Sequence, residues 1–247
     1  MDIYVYMALI GLAAGLVKGV SGFGSSLVTI PLLTMVFGVD RLEEIIVIMI
    51  TFNVVLNILL MKENKAFKME HLQNIKLIVI PGAIFTVIGL LGLKNLNGDY
   101  INYIAASLIL LAILVTSYNL FVKNKVQLQP RPIYQIIAGV FSGIGNGIAS
   151  IDGPPVVFYL TATNTKKESF KGTLATHFLV MGIIGVISMI VLNLYTIDIL
   201  VNTLFILIFT IIGLLAGMRI SRNLNEQTFK IVILAILLAL DIKMFFF

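Results

Sequence analysis

The sequence predicts an all-α polytopic membrane protein made of two four-segment repeats, with the first segment of each repeat broken or re-entrant. Three observations carry that expectation. The first is composition: of 247 residues, 59% are hydrophobic and 12% charged, against roughly 45–50% and about 25% in soluble domains. A chain this apolar cannot hide its surface from water, so lipid is its solvent. The second is a glycine-rich interruption inside two overlong apolar stretches. One reads Gly15-Leu-Val-Lys18-Gly19-Val-Ser21-Gly22-Phe-Gly24-Ser25-Ser26 and runs on to Pro31. The other reads Gly139-Val-Phe-Ser142-Gly143-Ile-Gly145-Asn146-Gly147 and runs on to Asp152-Gly153-Pro154-Pro155. The third is self-similarity. An offset of 124 maps Gly15, Gly19 and Pro31 onto Gly139, Gly143 and Pro155, and Phe85-Thr86 through Gly89 onto Phe209-Thr210 through Gly213. Half the chain length separates the two copies, the sign of an internal repeat.

Each element follows from the length of its apolar run, since a spanning helix needs about 20 such residues. The first repeat, 1–122, opens with the broken stretch 3–39 and continues with spans at 45–61, 77–93 and 101–122. A polar linker, 123–132, holds two prolines. The second repeat, 133–247, opens with the broken stretch 133–163 and continues with spans at 172–194, 199–218 and 229–247. The last span is the weakest, because Lys230, Asp241 and Lys243 crowd it. The N-terminus has no basic region followed by a small-residue cleavage site, so the first stretch is expected to remain.

Charge separates two topologies. If all eight segments cross, the 17 Lys and Arg residues divide evenly between the faces, with Lys18 inside the membrane, and the positive-inside rule gives no orientation. If the two broken segments enter and return on one side, Arg41, Lys94 and Lys243 lie on one face. All the other loop cations then lie on the opposite face. Each repeat then crosses three times, so the second is inverted, and equivalent loops swap charge: the basic 62–76 against the cation-free 193–198. The hairpin arrangement is the expected one, in a plasma (inner) membrane, with both termini outside.

The breaks are the expected site. Irregular backbone persists in hydrocarbon only where protein or a water-lined cavity receives it. Helices starting there present free N–H groups and partial positive charge, which suits an anion. Ser25 and Ser26 are expected to cap one such half-helix and Asp152 another, starting at Gly153-Pro154-Pro155. Lys18 is either a direct anion ligand or the partner of Asp152 in a structural ion pair. The candidate substrate-binding residues are Lys18, Gly22, Gly24, Ser25, Ser26, Asn53, Asn146, Asp152, Gly153, Pro154 and Pro155. At the 124 offset Asn53 faces His177, a candidate for proton coupling or a satisfied interhelical donor. Glycines such as Gly11, Gly89 and Gly213 fit close helix packing.

Other classes find little support. Without cysteine there is no disulfide or thiolate metal site. No metal motif, cofactor motif, phosphate-binding loop or catalytic constellation occurs, so the chain reads as neither an enzyme nor a nucleic-acid binder. Without a nucleotide-binding sequence, transport is secondary or facilitated. One half rocking against the other would give alternating access around a midplane site. A passive anion channel, or a non-transporting assembly or sensor subunit, is the alternative. The partners are a small anion and the lipid bilayer; coupling to protons or sodium, and oligomerisation, stay open.

The stretch Gly153-Pro154-Pro155-Val-Val-Phe-Tyr-Leu160, followed by Phe170-Lys171-Gly-Thr-Leu174, resembles the second-half signature of the sulfite exporter TauE/SafE (TSUP) family. The stretch from Gly15 to Pro31 is similar to that family's opening motif. The resemblance covers essentially the whole chain. It implies a plasma-membrane exporter of small sulfur-containing anions such as sulfite, sulfonates or sulfoacetate, with the motif carried over onto Gly22, Gly24, Gly153, Pro154 and Pro155. The chain has Gly22-Phe-Gly24 and Gly145-Asn-Gly147 where the family carries glycine triplets, and Lys171 where it often carries arginine.

Overall fold

The computed structural model describes residues 3–64, 75–123, 126–165, 167–221 and 226–246. These form ten α-helices: α1 (Ile3–Ser21), α2 (Ser25–Phe37), α3 (Leu42–Asn64), α4 (Lys76–Asn95), α5 (Gly98–Phe121), α6 (Pro132–Ala149), α7 (Gly153–Ala162), α8 (Lys167–Val191), α9 (Ile197–Ile220) and α10 (Glu226–Phe246). Within α1, α3, α4, α5, α8 and α9 lie runs long and apolar enough to cross a membrane. Each expected span falls mainly on one helix, though α10, which carries the last, is not among those long and apolar enough to cross, and each broken stretch resolves into two. The loop cations Lys65, Lys68, Lys125, Lys166 and Arg222 lie outside the described residues, as do the side chains of Lys167, Lys171 and Lys230.

The lateral surface is apolar at helical spacing. Ile80, Ile84 and Ile88 on α4, and Leu204, Ile208 and Ile212 on α9, are all exposed. Large contiguous patches of this kind are rare on soluble monomers and fit contact with lipid tails. Asp241, part of the crowding on the last segment, is instead buried, whereas Lys243 on the same helix is exposed. Nearby, Asn102 of α5 donates from Nδ2 to the Met244 carbonyl of α10 at 2.8 Å.

Both breaks are made by helix termination in the left-handed region. α1 ends where Gly22 takes φ 82° and its N–H returns to the Lys18 carbonyl at 2.8 Å. Ser21 reinforces that end: its hydroxyl donates to Val17 O at 2.7 Å and accepts from the Phe23 N–H at 3.3 Å. α6 ends where Ser150 takes φ 52°, with its N–H on Asn146 O at 2.8 Å and the Ile151 N–H on Gly145 O at 2.9 Å. These two backbone bonds close the end of α6.

Beyond its break α6 turns back on itself. Ser142 Oγ donates to the Asp152 carbonyl at 2.8 Å, Gln135 Nε2 to the Tyr159 hydroxyl at 3.0 Å, and the Leu128 N–H to the Ala162 carbonyl at 2.7 Å. One partner's number rises as the other's falls, so α7 runs antiparallel to α6 and returns to the level where α6 began. α1 and α2 also pack on each other.

Two glycine seams hold the molecule together. Gly11, Gly15 and Gly19 of α1 lie against the backbone of Ile206, Thr210 and Leu214 of α9. Gly139, Gly143 and Gly147 of α6 lie against that of Ile78, Gly82 and Thr86 of α4. Numbers rise together in each seam, so both helix pairs are parallel. Without a hydrophobic drive between helices in lipid, such close backbone approach supplies the dispersion that holds them. The second seam equals the first with 128 added to the glycine numbers and 128 subtracted from those of their partners. The same offset carries Gly22 onto Ser150, and Ser25 at the start of α2 onto Gly153 at the start of α7.

The packing therefore follows 128, not the 124 suggested by residue identities. Glycines spaced by four look the same after a shift of four, about one helical turn. The correction moves partners: Asn53 corresponds to Met181, and His177 to Met49. Finally, α3 and α8 cross in opposite directions. A Cβ at Gly182 would meet Val54 at 2.9 Å, and one at Gly185 would meet Ile50 at 2.7 Å.

Candidate binding site

The two breaks meet. Ser26, in the first turn of α2, and Ser150, at the end of α6, touch through their hydroxyls at 3.3 Å. Asn53 of α3 spans the junction, donating from Nδ2 to Ser26 Oγ at 3.1 Å and to Ser150 Oγ at 3.3 Å. Its Oδ1 accepts from Lys18 Nζ and from Ser25 Oγ, both at 2.7 Å. One carboxamide thus ties together three helices and orients the buried ammonium of Lys18, 4% exposed.

A cleft opens beside this junction, with about 500 Å³ of empty space counted to its mouth. Of the residues singled out from sequence, Lys18, Gly24, Ser25, Ser26, Asn53, Asn146, Asp152, Gly153 and Pro154 line it. Gly22, Pro155 and His177 do not. Gly22 acts by ending α1, and Pro155 sits one residue deeper in α7. Sequence reasoning passed over Ser150, Phe23 and Phe178, which also line the cleft. Ser150 carried a readable signal, a hydroxyl two residues ahead of Asp152 on the same break. The two phenylalanines carried none, since apolar side chains are everywhere in this chain.

The expected caps form otherwise. α2 is preceded by Gly24 at φ 89°, with no side-chain cap bond. Ser25 and Ser26 lie inside its first turn, with their hydroxyls on Asn53 and Ser150. This leaves the N–H groups of the first turn of α2 without helical partners. Asp152 occupies the cap position of α7 without a side-chain cap bond. Pro154 and Pro155 follow, and neither has an N–H to offer. Only α2 therefore presents the donor-rich end expected of both half-helices.

Lys18 and Asp152 share the cleft but form no direct ion pair. Among the described residues the one salt bridge within 4.0 Å is Arg41–Glu44. The ammonium of Lys18 is held by a neutral carboxamide, and Asp152 acts on it across the cleft from beyond contact range.

His177 stands behind the α6 break. Its Nε2 lies 2.8 Å from Ser142 Oγ, and that hydroxyl already donates its one proton to Asp152 O. The ring must then be the donor, so Nε2 carries the hydrogen and Nδ1 is a bare acceptor, buried and without a partner. In this position His177 braces the turn that presents Asp152. Asn146, one turn beyond Ser142, donates to Met181 O at 3.2 Å and to Thr86 Oγ1 at 3.4 Å.

The family model described as Sulfite exporter TauE/SafE matches residues 7–244, nearly the whole chain. No curated protein and no solved structure matches it significantly.

Proposed function

We infer, from the premise that the chain belongs to the sulfite exporter TauE/SafE family, that it carries a small sulfur oxyanion such as sulfite through the cleft between its two breaks. The family is one of transporters and not of enzymes, and the chain is a multi-pass membrane protein. The observation that carries the reading is Lys18: a buried ammonium without a countercharge in contact, fixed by Asn53 on the wall of a cleft. Ionisable groups inside a membrane protein are costly and mark ligand pathways. In this reading the anion lies between that ammonium, the hydroxyls of Ser25 and Ser26, and the free N–H groups of α2.

The proposal extends to topology. Two equivalent helices that pack antiparallel, as α3 and α8 do, fit halves inverted across the membrane. A hairpin such as α6–α7 fits a segment that enters and leaves on one face. Basic loops then face the cytoplasm and both termini lie outside, in the plasma membrane. An epitope inserted at Lys65 is expected to stay hidden from antibody on intact cells; surface labelling would overturn this orientation.

The seams favour a particular kind of motion. α1 is bound to α9 and α4 to α6, so each seam joins the two halves. Alternating access is therefore assigned to one cross-half pair, α1 with α9, moving against the other, rather than to half against half. The transport reading is tested by saturable, sulfite-dependent flux in proteoliposomes holding the purified protein. Flux of no sulfur oxyanion would overturn it, and large single-channel currents would replace the carrier with a pore.

A further inference from the structure

The cleft holds two opposite charges that do not touch. Lys18 Nζ is directed by Asn53 Oδ1 at 2.7 Å. The Asp152 side chain neither caps α7 nor pairs with Lys18 within 4.0 Å. Both line the same space, and the Asp152 backbone is fixed through its carbonyl by Ser142, itself braced by His177. The Asp152 carboxylate has a hydrogen bond from its own backbone and the attraction of Lys18 across the cleft, but no side-chain donor in contact, and it repels an approaching anion. Pro154 and Pro155, next in the chain, have no N–H to give it.

We propose that the cleft selects an oxyanion that carries a hydrogen-bond donor on the same molecule, the oxyanion on Lys18 and the donor on the Asp152 carboxylate. The substrate class is thereby narrowed to hydrogen oxyanions and to hydroxy- or amino-substituted sulfonates, and away from oxyanions that offer acceptors alone. This inference rests on the transport reading of the same cleft and adds the second pole of the ligand. A ligand with a donor bridges the gap that the protein leaves open. One without a donor leaves Asp152 unpaired beside a negative charge, and a site built to bond a polar group rejects the analogue that lacks it.

The test compares ethanesulfonate, 2-hydroxyethanesulfonate and 2-aminoethanesulfonate at one pH, with sulfite as reference. Binding to the purified full chain is read by calorimetry and by the shift in unfolding temperature. At least one of the two donor-bearing probes is expected to bind about tenfold or more tighter than ethanesulfonate. A gain for both identifies a neutral donor as sufficient; a gain for the amine alone identifies a cationic one. Asp152→Asn is expected to abolish the preference. Equal or tighter binding of ethanesulfonate to the wild-type chain overturns the inference without need of any variant, and so does a preference that survives in a folded Asp152→Asn protein. Binding of none of the four anions overturns the transport reading itself, and this inference with it.

Discussion

The two breaks share a scaffold and differ in chemistry. In both, a helix ends on a left-handed residue whose N–H returns four residues back, Gly22 to Lys18 and Ser150 to Asn146. In both, three glycines spaced by four seat the incoming helix on a partner from the other half. What each break then offers the cleft is different. The first brings an ammonium, two hydroxyls and an open helix N-terminus. The second brings a carboxamide, a carboxylate, the Ser150 hydroxyl and, at Pro154, a helix start with no N–H to offer. Packing constrains both copies alike, because backbone contact leaves no room for a side chain; the cleft wall imposes no such demand, and its polarity differs between the two. A symmetric frame has come to hold a polar ligand in one orientation.

That comparison can be broken most sharply at the seams, where the copies should behave alike. A Cβ at Gly15 would collide with the Thr210 carbonyl and one at Gly143 with the Gly82 carbonyl. Gly15→Leu and Gly143→Leu are each expected to cost about 3 kcal/mol or more, read as loss of a monodisperse species in detergent. Tolerance at one position only would mean that the seams are not equivalent.

At the cleft the copies should differ. Lys18→Met is expected to weaken sulfite binding about 100-fold, the scale of a lost charge-assisted hydrogen bond. Its counterpart change, Asn146→Ala, should cost only a few-fold. Titration of both purified variants by calorimetry measures the contrast, and equal losses would remove the asymmetry. Ser142→Ala removes both the acceptor of the His177 Nε2–H and the donor to Asp152 O, at about 1–3 kcal/mol of stability. Thermal unfolding reads that cost. The smallest effect is expected at Gly22→Ala. Nothing lies within 4 Å of where its Cβ would sit, so backbone strain alone acts, about 1 kcal/mol. Gly22→Asn should recover part of it, since asparagine tolerates positive φ.

Most of the fold was written in plain view, because lipid demands long apolar runs and irregular backbone stands out against them. The breaks at Gly22–Gly24 and Gly145–Pro155 showed where the chain would turn, and Lys18, Asn53 and Asp152 showed which polar groups would gather there. The register between the copies was hidden by the glycines themselves, whose spacing by four repeats after one helical turn. That ambiguity led Asn53 to be matched with His177, which instead lies one turn away, behind Ser142. Side-chain direction was equally out of reach: nothing in the order of residues says that Ser25 turns to Asn53 instead of capping its own helix, or that Asn53 and not Asp152 takes the lysine.

The seams also bear on how such a chain could come to exist. The first helix of each half finds its backbone partner in the other half, so neither half is complete when alone. A single-repeat forebear would have had to fold as an interlocked twin, each copy lending its leading helix to its neighbour. Joining two such copies through the stretch around Pro130 would hold that exchange within one molecule and would free the two copies to differ, as Lys18 and Asn146 do.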